Sequence, residues 1–91
     1  MQEVPRIKCI SSHKPGWGLV TFMDGEVREI EWARFARPGT VLADLADPEF
    51  SSQATVTDNG YTVEWPNGAD WSWEVVYDRS TPVAQPSRLS A

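Results

Sequence analysis

A chain of 91 residues with eight basic and thirteen acidic side chains has a formal net charge of −5, which argues against general nucleic-acid binding because that requires an extended basic surface. The length suits one domain and leaves no room for two. A domain of this size buries only about 60–65% of its unfolded surface, so the five tryptophans carry much of the burial.

The cysteine content and the apolar runs indicate the compartment. Cys9 is the single cysteine of the chain, so no internal disulfide can form, which is typical of a reducing compartment. No apolar run approaches the roughly 18 residues that cross a bilayer. The N-terminal residues lack a basic segment followed by a hydrophobic stretch, so we expect no signal peptide. These observations together predict a cytoplasmic protein.

Alternation of apolar and polar residues predicts three strands in the first part of the chain. Residues 6–13 form the first, and a Lys-Pro-Gly turn ends it. Residues 18–23 and 26–32 flank Asp24-Gly25, which predicts a hairpin with a type I′ turn. The residues expected to face the core are Val20, Phe22, Ile30 and Trp32, with Cys9 as a buried structural residue.

The middle of the chain is predicted to be irregular. Residues 33–37 predict a short helix that Pro38-Gly39 ends. Residues 40–50 predict at most two short helical turns, because Pro48 prevents a longer helix. The apolar residues expected to be buried there are Val41, Leu42, Leu45 and Phe50.

A second hairpin and a closing helix are predicted after residue 53. Residues 54–57 and 61–65 flank an Asp-Asn-Gly turn, and Pro66 ends the second strand because it cannot donate a ladder hydrogen bond. Ser72 is the predicted N-cap of the helix, with Asp70 as the second possibility. The residues expected to face the core in this closing part are Tyr61, Val63, Trp65, Val76 and Tyr77.

These elements predict an α+β fold. We expect a small two-layer domain with a mainly antiparallel sheet of two hairpins and short helices packed on it. The domain is predicted to cover residues 1–78. Residues 79–91 are rich in serine and proline and bury too little to offset their ordering entropy, so they are predicted to form a flexible C-terminal tail.

No arrangement of reactive side chains predicts an enzyme. Cys9 and His13 lie four residues apart on a strand, about 13 Å along it, so they do not form a dyad. One cysteine and one histidine cannot supply the three or four ligands of a zinc site. Asp44 and Asp47 lack the alternating oxygen ligands of a calcium loop. We therefore predict a protein without catalytic residues, metal or cofactor.

Two groups of side chains are candidates for binding. Arg34 and Arg37 form a close basic pair, and a solvated helix face is the favoured explanation for them. Trp65, Trp71 and Trp73 fit a ligand groove, although a core with one aromatic residue at its rim is the favoured interpretation. Trp73 is expected to lie outside as the first helical residue, which makes it an interface candidate.

The order of these motifs resembles the small bacterial family DUF2442. The resemblance covers roughly residues 4–78, and the Trp-Pro-Asn-Gly-x-Asp motif is its most specific part. The resemblance implies a compact α+β domain. Members of the family are often suspected to be antitoxin-like neighbours of a small toxin-like protein, and no catalytic residues are established for them. The matching segments are Phe22-Met23-Asp24-Gly25, Asp47-Pro48-Glu49-Phe50, Trp65-Pro66-Asn67-Gly68-Ala69-Asp70 and Val76-Tyr77.

The chain departs from the family pattern after Asp70. The family usually has an aliphatic residue and then a proline there, where this chain has Trp71 and Trp73. The departure is expected to place two large aromatic side chains near the surface of the closing helix. The residues predicted to form the structural turn motifs are Asp24, Gly25, Trp65, Pro66, Asn67 and Gly68.

We therefore predict a non-enzymatic module that binds a partner protein through an acidic surface and exposed aromatic residues. The partner is expected to be basic, toxin-like or nucleic-acid-binding, and neither nucleic acid nor membrane is expected to bind directly. Two alternatives stay open: an acidic phage-type inhibitor of a nuclease or another nucleic-acid-binding protein, and a regulatory domain that binds a small ligand. The predicted partner-binding residues are Asp70, Trp71, Trp73 and Glu74.

Overall fold

The computed structural model describes residues 5–83, which form two antiparallel sheets and several short helices. The predicted α+β class is confirmed, with more sheet than helix. The strands are β1 (Ile7–Lys14), β2 (Trp17–Phe22), β3 (Val27–Glu31), β4 (Thr55–Thr57), β5 (Thr62–Glu64), β6 (Asp70–Ser72) and β7 (Thr81–Pro82). The first sheet has the strand order β1-β2-β3-β7 and the second β4-β5-β6. The α-helices are α1 (Pro48–Ser51) and α2 (Trp73–Arg79), and the 3-10 helices are Trp32–Phe35, Val41–Ala46 and Asp58–Gly60. Within the described part of the chain, every helix is too short or too polar to cross a membrane.

The first hairpin is confirmed, but its turn differs from the prediction. The amide of Gly25 donates to the carbonyl of Phe22 at 2.9 Å, and the amide of Phe22 donates to the carbonyl of Glu26 at 2.9 Å. Gly25 has a φ of +91°, whereas Asp24 is not in the left-handed region. A type I′ turn requires positive φ at both central residues. The loop is instead a three-residue connection closed by Gly25, and the Asp24 carboxylate stabilises it by accepting from the amide of Glu26 at 2.9 Å.

The loop from Trp65 to Ala69 repeats this construction. The amide of Trp65 donates to the carbonyl of Ala69 at 2.9 Å, and the Asn67 side chain accepts from the amide of Ala69 at 2.9 Å. The loop returns the chain into β6, a strand that the sequence did not predict. The amide of Trp73 then donates to the carbonyl of Tyr61 at 2.8 Å. Because α2 begins at Trp73, Ser72 occupies the predicted N-cap position. Its side chain makes no capping hydrogen bond.

An extra residue in β1 reverses its alternation. Ile7 pairs with Phe22, whereas Cys9 pairs with the adjacent Thr21, so Lys8 forms a bulge. The side chain of Cys9 consequently faces solvent, and Ile10 packs against the core. The predicted burial of Cys9 is wrong, because a bulge cannot be recognised from the alternation of a single strand.

The tip of the second hairpin lies directly against the first sheet. Asp58 and Asn59 have φ values of +53° and +56°, which these residue types tolerate better than others. Gly60 follows with a φ of +93°, and a Cβ atom there would meet the backbone carbonyl oxygen of Ile7. Gly60 is thus required both by its backbone conformation and by the close approach of β1.

Three tryptophans form the centre of the hydrophobic core, and we call them the core tryptophan cluster: Trp32, Trp65 and Trp71. The Trp32 ring centroid lies 5.1 Å from that of Trp65 and 5.9 Å from that of Trp71. The Trp65 indole also donates to the carbonyl of Ser51 at 3.1 Å, which fixes α1. The other buried apolar residues of both sheets and the connecting segments are Ile7, Val20, Phe22, Ile30, Leu45, Val63, Ala69 and Val76.

Besides Cys9, two further residues that were predicted to be buried are exposed. Tyr61 is 41% exposed, because it precedes β5 in a helical backbone conformation and so does not share the inward face of Val63. Val41 is 56% exposed and is the first residue of its 3-10 helix, whose buried residue is Leu45.

The C-terminal boundary also differs from the prediction. Ser80 is buried, and Thr81–Pro82 pairs with β3. The amide of Val83 donates to the carbonyl of Val27 at 3.0 Å. Residues 79–83 therefore belong to the folded unit, and the remainder of the predicted tail, residues 84–91, lies outside the described residues.

The approach of Gly60 to β1 can be tested with a matched pair of glycine variants. We expect Gly60→Ala to lower the free energy of unfolding by about 3 kcal/mol, since positive φ costs about 1–2 kcal/mol and the clash adds about 1–3 kcal/mol. Gly25→Ala also places a Cβ at positive φ, but in open space, so it should cost only about 1–2 kcal/mol. Urea unfolding followed by tryptophan fluorescence measures both values, and equal losses would contradict the close approach.

Candidate functional site

The predicted partner-binding residue Trp71 is buried, with 6% of its surface exposed. It lies opposite Val63 in the pairing of β5 with β6, so its side chain shares the inward face of the second sheet. Its ring centroid lies 5.9 Å from that of Trp65 and 5.6 Å from that of Phe35. The expectation that Trp71 lies near the surface of the closing helix is therefore wrong, because the residue belongs to a strand.

The other predicted partner-binding residues lie at the surface around the start of α2. Trp73 is half-buried, with its ring centroid 6.5 Å from that of Tyr77. Asp70 and Glu74 are exposed, and so is Asp78, one helical turn after Glu74. Within residues 5–83 these three carboxylates have no ion pair and no hydrogen bond, and we call them the acidic ridge.

Arg28 holds the C-terminal end of α2 against the first sheet. Its guanidinium donates to the hydroxyl and to the carbonyl of Ser80, both at 2.8 Å, and forms an ion pair with Glu26 at 2.8 Å. The guanidinium carbon also lies 4.2 Å from the ring centroid of Tyr77. These contacts fix the end of α2 and therefore the position of Arg79, its last residue.

The Tyr77 hydroxyl completes this network by donating to the Glu26 carboxylate at 2.9 Å. That hydrogen bond to a negatively charged group is the main reason why the pKa of Tyr77 is raised from its usual value, and desolvation adds to the effect. Arg28 acts in the opposite direction, because its positive charge favours the ionised tyrosine.

A groove of about 450 Å³ lies between the Trp32–Phe35 helix and α2. Three of its lining residues are cationic: Arg34, Arg37 and Arg79. We call it the arginine groove, and its other lining residues are Phe35, Ala36, Leu42, Trp71 and Val75.

Arg79 packs on the aromatic side of the groove. Its guanidinium carbon lies 5.1 Å from the ring centroid of Phe35 and 5.1 Å from that of Trp71. Such cation–π contacts hold the guanidinium in place without neutralising its charge. Trp71 therefore has two roles, because one part of its ring contacts the core tryptophan cluster while another supports the wall of the groove.

None of the three groove arginines has an ion pair or donates a side-chain hydrogen bond within the part of the chain that the structure describes. Arg28, by contrast, uses its guanidinium donors on Glu26 and Ser80. Free guanidinium groups bind carboxylate or phosphate oxygens, often through two parallel hydrogen bonds. The groove is therefore a surface suited to an anionic group.

Arg34 and Arg37 stand out as a pair in the sequence, whereas Arg79 was predicted to lie in a flexible tail. A signal was present, because Val75 and Arg79 are four residues apart and so share one face of a helix.

The reactive residues considered from the sequence lie outside the arginine groove. His13 is exposed at the end of β1, 3.3 Å from the Glu29 carboxylate, and residues 5–83 contain no group of three or more potential ligands that could hold a metal ion.

The raised pKa of Tyr77 predicts a pH dependence of stability. The folded state holds the hydroxyl proton more tightly than the unfolded chain, so this contribution is complete below about pH 10 and is lost as the pH rises through the raised pKa. We expect the free energy of unfolding to fall more steeply above about pH 10 in the unmodified protein than in Tyr77→Phe. Tyr61→Phe, which removes an exposed hydroxyl, should keep the steep dependence. Urea titrations at each pH measure the slopes, and an equal slope for Tyr77→Phe would contradict the assignment.

Comparison with known proteins places this fold in a family. The family model described as "Protein of unknown function (DUF2442)" matches residues 19–82, which is more than two thirds of the chain. The match includes both three-residue loops, the core tryptophan cluster and every residue of the arginine groove. No match was found among curated proteins or among solved structures. The chain belongs to the DUF2442 family.

Proposed function

We propose that this chain is a non-enzymatic protein-binding module whose contact surface is the arginine groove. The observation that carries the proposal is the set of three arginines without carboxylate partners around one groove. Like charges in proximity are destabilising, so the arrangement does not contribute to the stability of the isolated domain. On a chain with a net charge of −5, three unpaired cations in one groove favour a role in binding.

The composition of the groove supports a protein partner. Arginine and aromatic residues are enriched among the residues that dominate binding energy at protein interfaces. The aromatic floor is supported by the core, since Trp71 packs on Trp32 and Trp65. A rigid floor lowers the entropic cost of binding, because fewer side chains become ordered on contact.

The same lining residues support a role without catalysis. The groove contains arginine, alanine and apolar side chains, and none of its lining residues is a serine, cysteine, histidine, aspartate or glutamate. Nucleophilic or acid–base chemistry draws mostly on those residue types. The groove therefore offers positive charge and apolar surface for binding.

The acidic ridge supports a second candidate, the binding of a basic partner as an antitoxin-like protein or an inhibitor of a nuclease would bind it. Asp70, Glu74 and Asp78 are exposed and unpaired within the described residues, beside the half-buried ring of Trp73. Such a surface would attract a positively charged protein at long range. The two candidates differ in the sign of the charge that the partner presents.

Paired substitutions of opposite charge distinguish the candidates. The groove variant is Arg34→Gln with Arg37→Gln, and the ridge variant is Glu74→Gln with Asp78→Asn. None of these four side chains makes a hydrogen bond or an ion pair within residues 5–83, so both variants should fold. The tagged variants and the unmodified chain would be incubated with lysate of the source cells, and retained proteins would be quantified by mass spectrometry.

We expect a retained protein whose recovery falls at least about tenfold with the groove variant, because each charge-assisted hydrogen bond contributes about 1.5–3 kcal/mol. The ridge variant should retain that protein. Loss with the ridge variant alone would establish the second candidate instead. A chain that retains no partner, or whose partner is indifferent to both variants, would contradict the proposal.

A further inference from the structure

We infer that the occupant of the arginine groove is an acidic peptide segment of the partner that carries a large apolar side chain. The inference rests on the proposed function and specifies the chemistry of the partner at the same site. Three observations support it: the positive charges of the groove, its apolar lining, and the coverage of its aromatic rings by Arg79 and by neighbouring rings.

The charges at the rim favour carboxylate groups. Arg34 lies in the Trp32–Phe35 helix, Arg37 follows that helix, and Arg79 ends α2, so the three guanidinium groups come from two sides of the groove. All three keep their N–H donors free of partners within the described residues. Each can therefore bind a carboxylate with two parallel hydrogen bonds. Two or three acidic side chains on one extended segment would satisfy them.

The floor of the groove requires more than negative charge. Phe35, Leu42 and Val75 are half-buried and line the same groove as the arginines. An apolar side chain inserted there would cover these surfaces and exclude water from the charged contacts, which strengthens them. Inorganic phosphate or a run of acidic residues alone would leave this apolar surface exposed.

The aromatic rings do not offer a platform for nucleobases. Trp71 is 6% exposed, with its ring surrounded by Trp32, Trp65 and Phe35. Arg79 lies over both Phe35 and Trp71. Single-stranded nucleic acids require free aromatic faces on which bases stack, together with a positively charged track. A net charge of −5 on the chain disfavours such a track.

The net charge also determines how the groove would recognise the peptide. At long range a domain of net charge −5 repels an acidic segment, so electrostatic steering does not accelerate the encounter. Affinity must then come from close contacts, namely the paired hydrogen bonds of the guanidinium groups and the buried apolar side chain. Lysine carries the same charge but not the planar fork, and it should replace arginine poorly.

The test uses the full chain and fluorescein-labelled peptides followed by fluorescence anisotropy. The peptides carry phenylalanine, leucine or tryptophan between flanking glutamates. One control peptide has serine in place of the apolar residue, and another has glutamine in place of the glutamates. A labelled oligothymidine and competition by inorganic phosphate complete the set.

We expect at least one glutamate peptide with an apolar residue to bind, and both control peptides to bind at least about tenfold more weakly. The variant Arg34→Gln with Arg37→Gln should weaken binding at least about tenfold, and Arg34→Lys with Arg37→Lys should restore it only in part. Lys8→Gln removes an exposed positive charge on β1, outside the groove, and should leave binding unchanged.

Four results would overturn the inference. The first three are no binding of any glutamate peptide, equal binding by the arginine-to-glutamine variant, and tighter binding of oligothymidine. Displacement of the peptide by inorganic phosphate at equal concentration would also overturn it, because the site would then recognise the anion alone. If a cellular partner depends on the groove but no glutamate peptide binds, the inference fails while the proposed function stands. If the cellular partner is indifferent to the groove variant, the proposed function itself fails.

Discussion

The contact among Trp32, Trp65 and Trp71 is the interaction on which the rest of the structure depends. Trp32 directly follows β3 of the first sheet, whereas Trp65 follows β5 and Trp71 lies in β6 of the second sheet. Trp32 packs edge-to-face on Trp65 and in a tilted arrangement on Trp71, and these contacts join the two sheets. The cluster also imposes a constraint on β2, because a Cβ at Gly18 would lie 2.5 Å from the Trp32 ring. In a domain of this size, three such rings supply a large share of the buried apolar surface.

The core and the candidate site are parts of one structure. Trp71 contacts the core on one side and supports Phe35 and Arg79 on the other. The position of Arg79 depends further on Arg28, which binds Ser80 at the end of α2. A binding surface built in this way is held by packing on both sides, as sites with well-defined geometry require. The acidic ridge, in contrast, consists of exposed carboxylates of β6 and α2 that make no hydrogen bond or ion pair within residues 5–83.

The local features of the fold could be predicted from the sequence, because turn chemistry acts over a few residues. Asp24-Gly25 and Asn67-Gly68 predicted the reversals, and Pro66 predicted the end of its strand. The features that were predicted wrongly depend on contacts between residues far apart in the sequence. Asp70–Ser72 is too short to be recognised as a strand, and it becomes one by pairing with Thr62–Glu64. That pairing determines the burial of Trp71 and brings Arg79 near Arg34, which no local pattern indicates.

The exposure of the five individual tryptophans is the sharpest test of this fold and of the groove. Fluorine NMR of the fluorotryptophan-labelled protein, with each resonance assigned by substitution, can be recorded with a soluble paramagnetic agent that broadens accessible rings. We expect the resonances of Trp32, Trp65 and Trp71 to stay sharp, since these rings are buried, whereas those of the half-buried Trp17 and Trp73 should broaden. Broadening of the Trp71 resonance to the extent seen for Trp73 would contradict both the core tryptophan cluster and the groove that it supports.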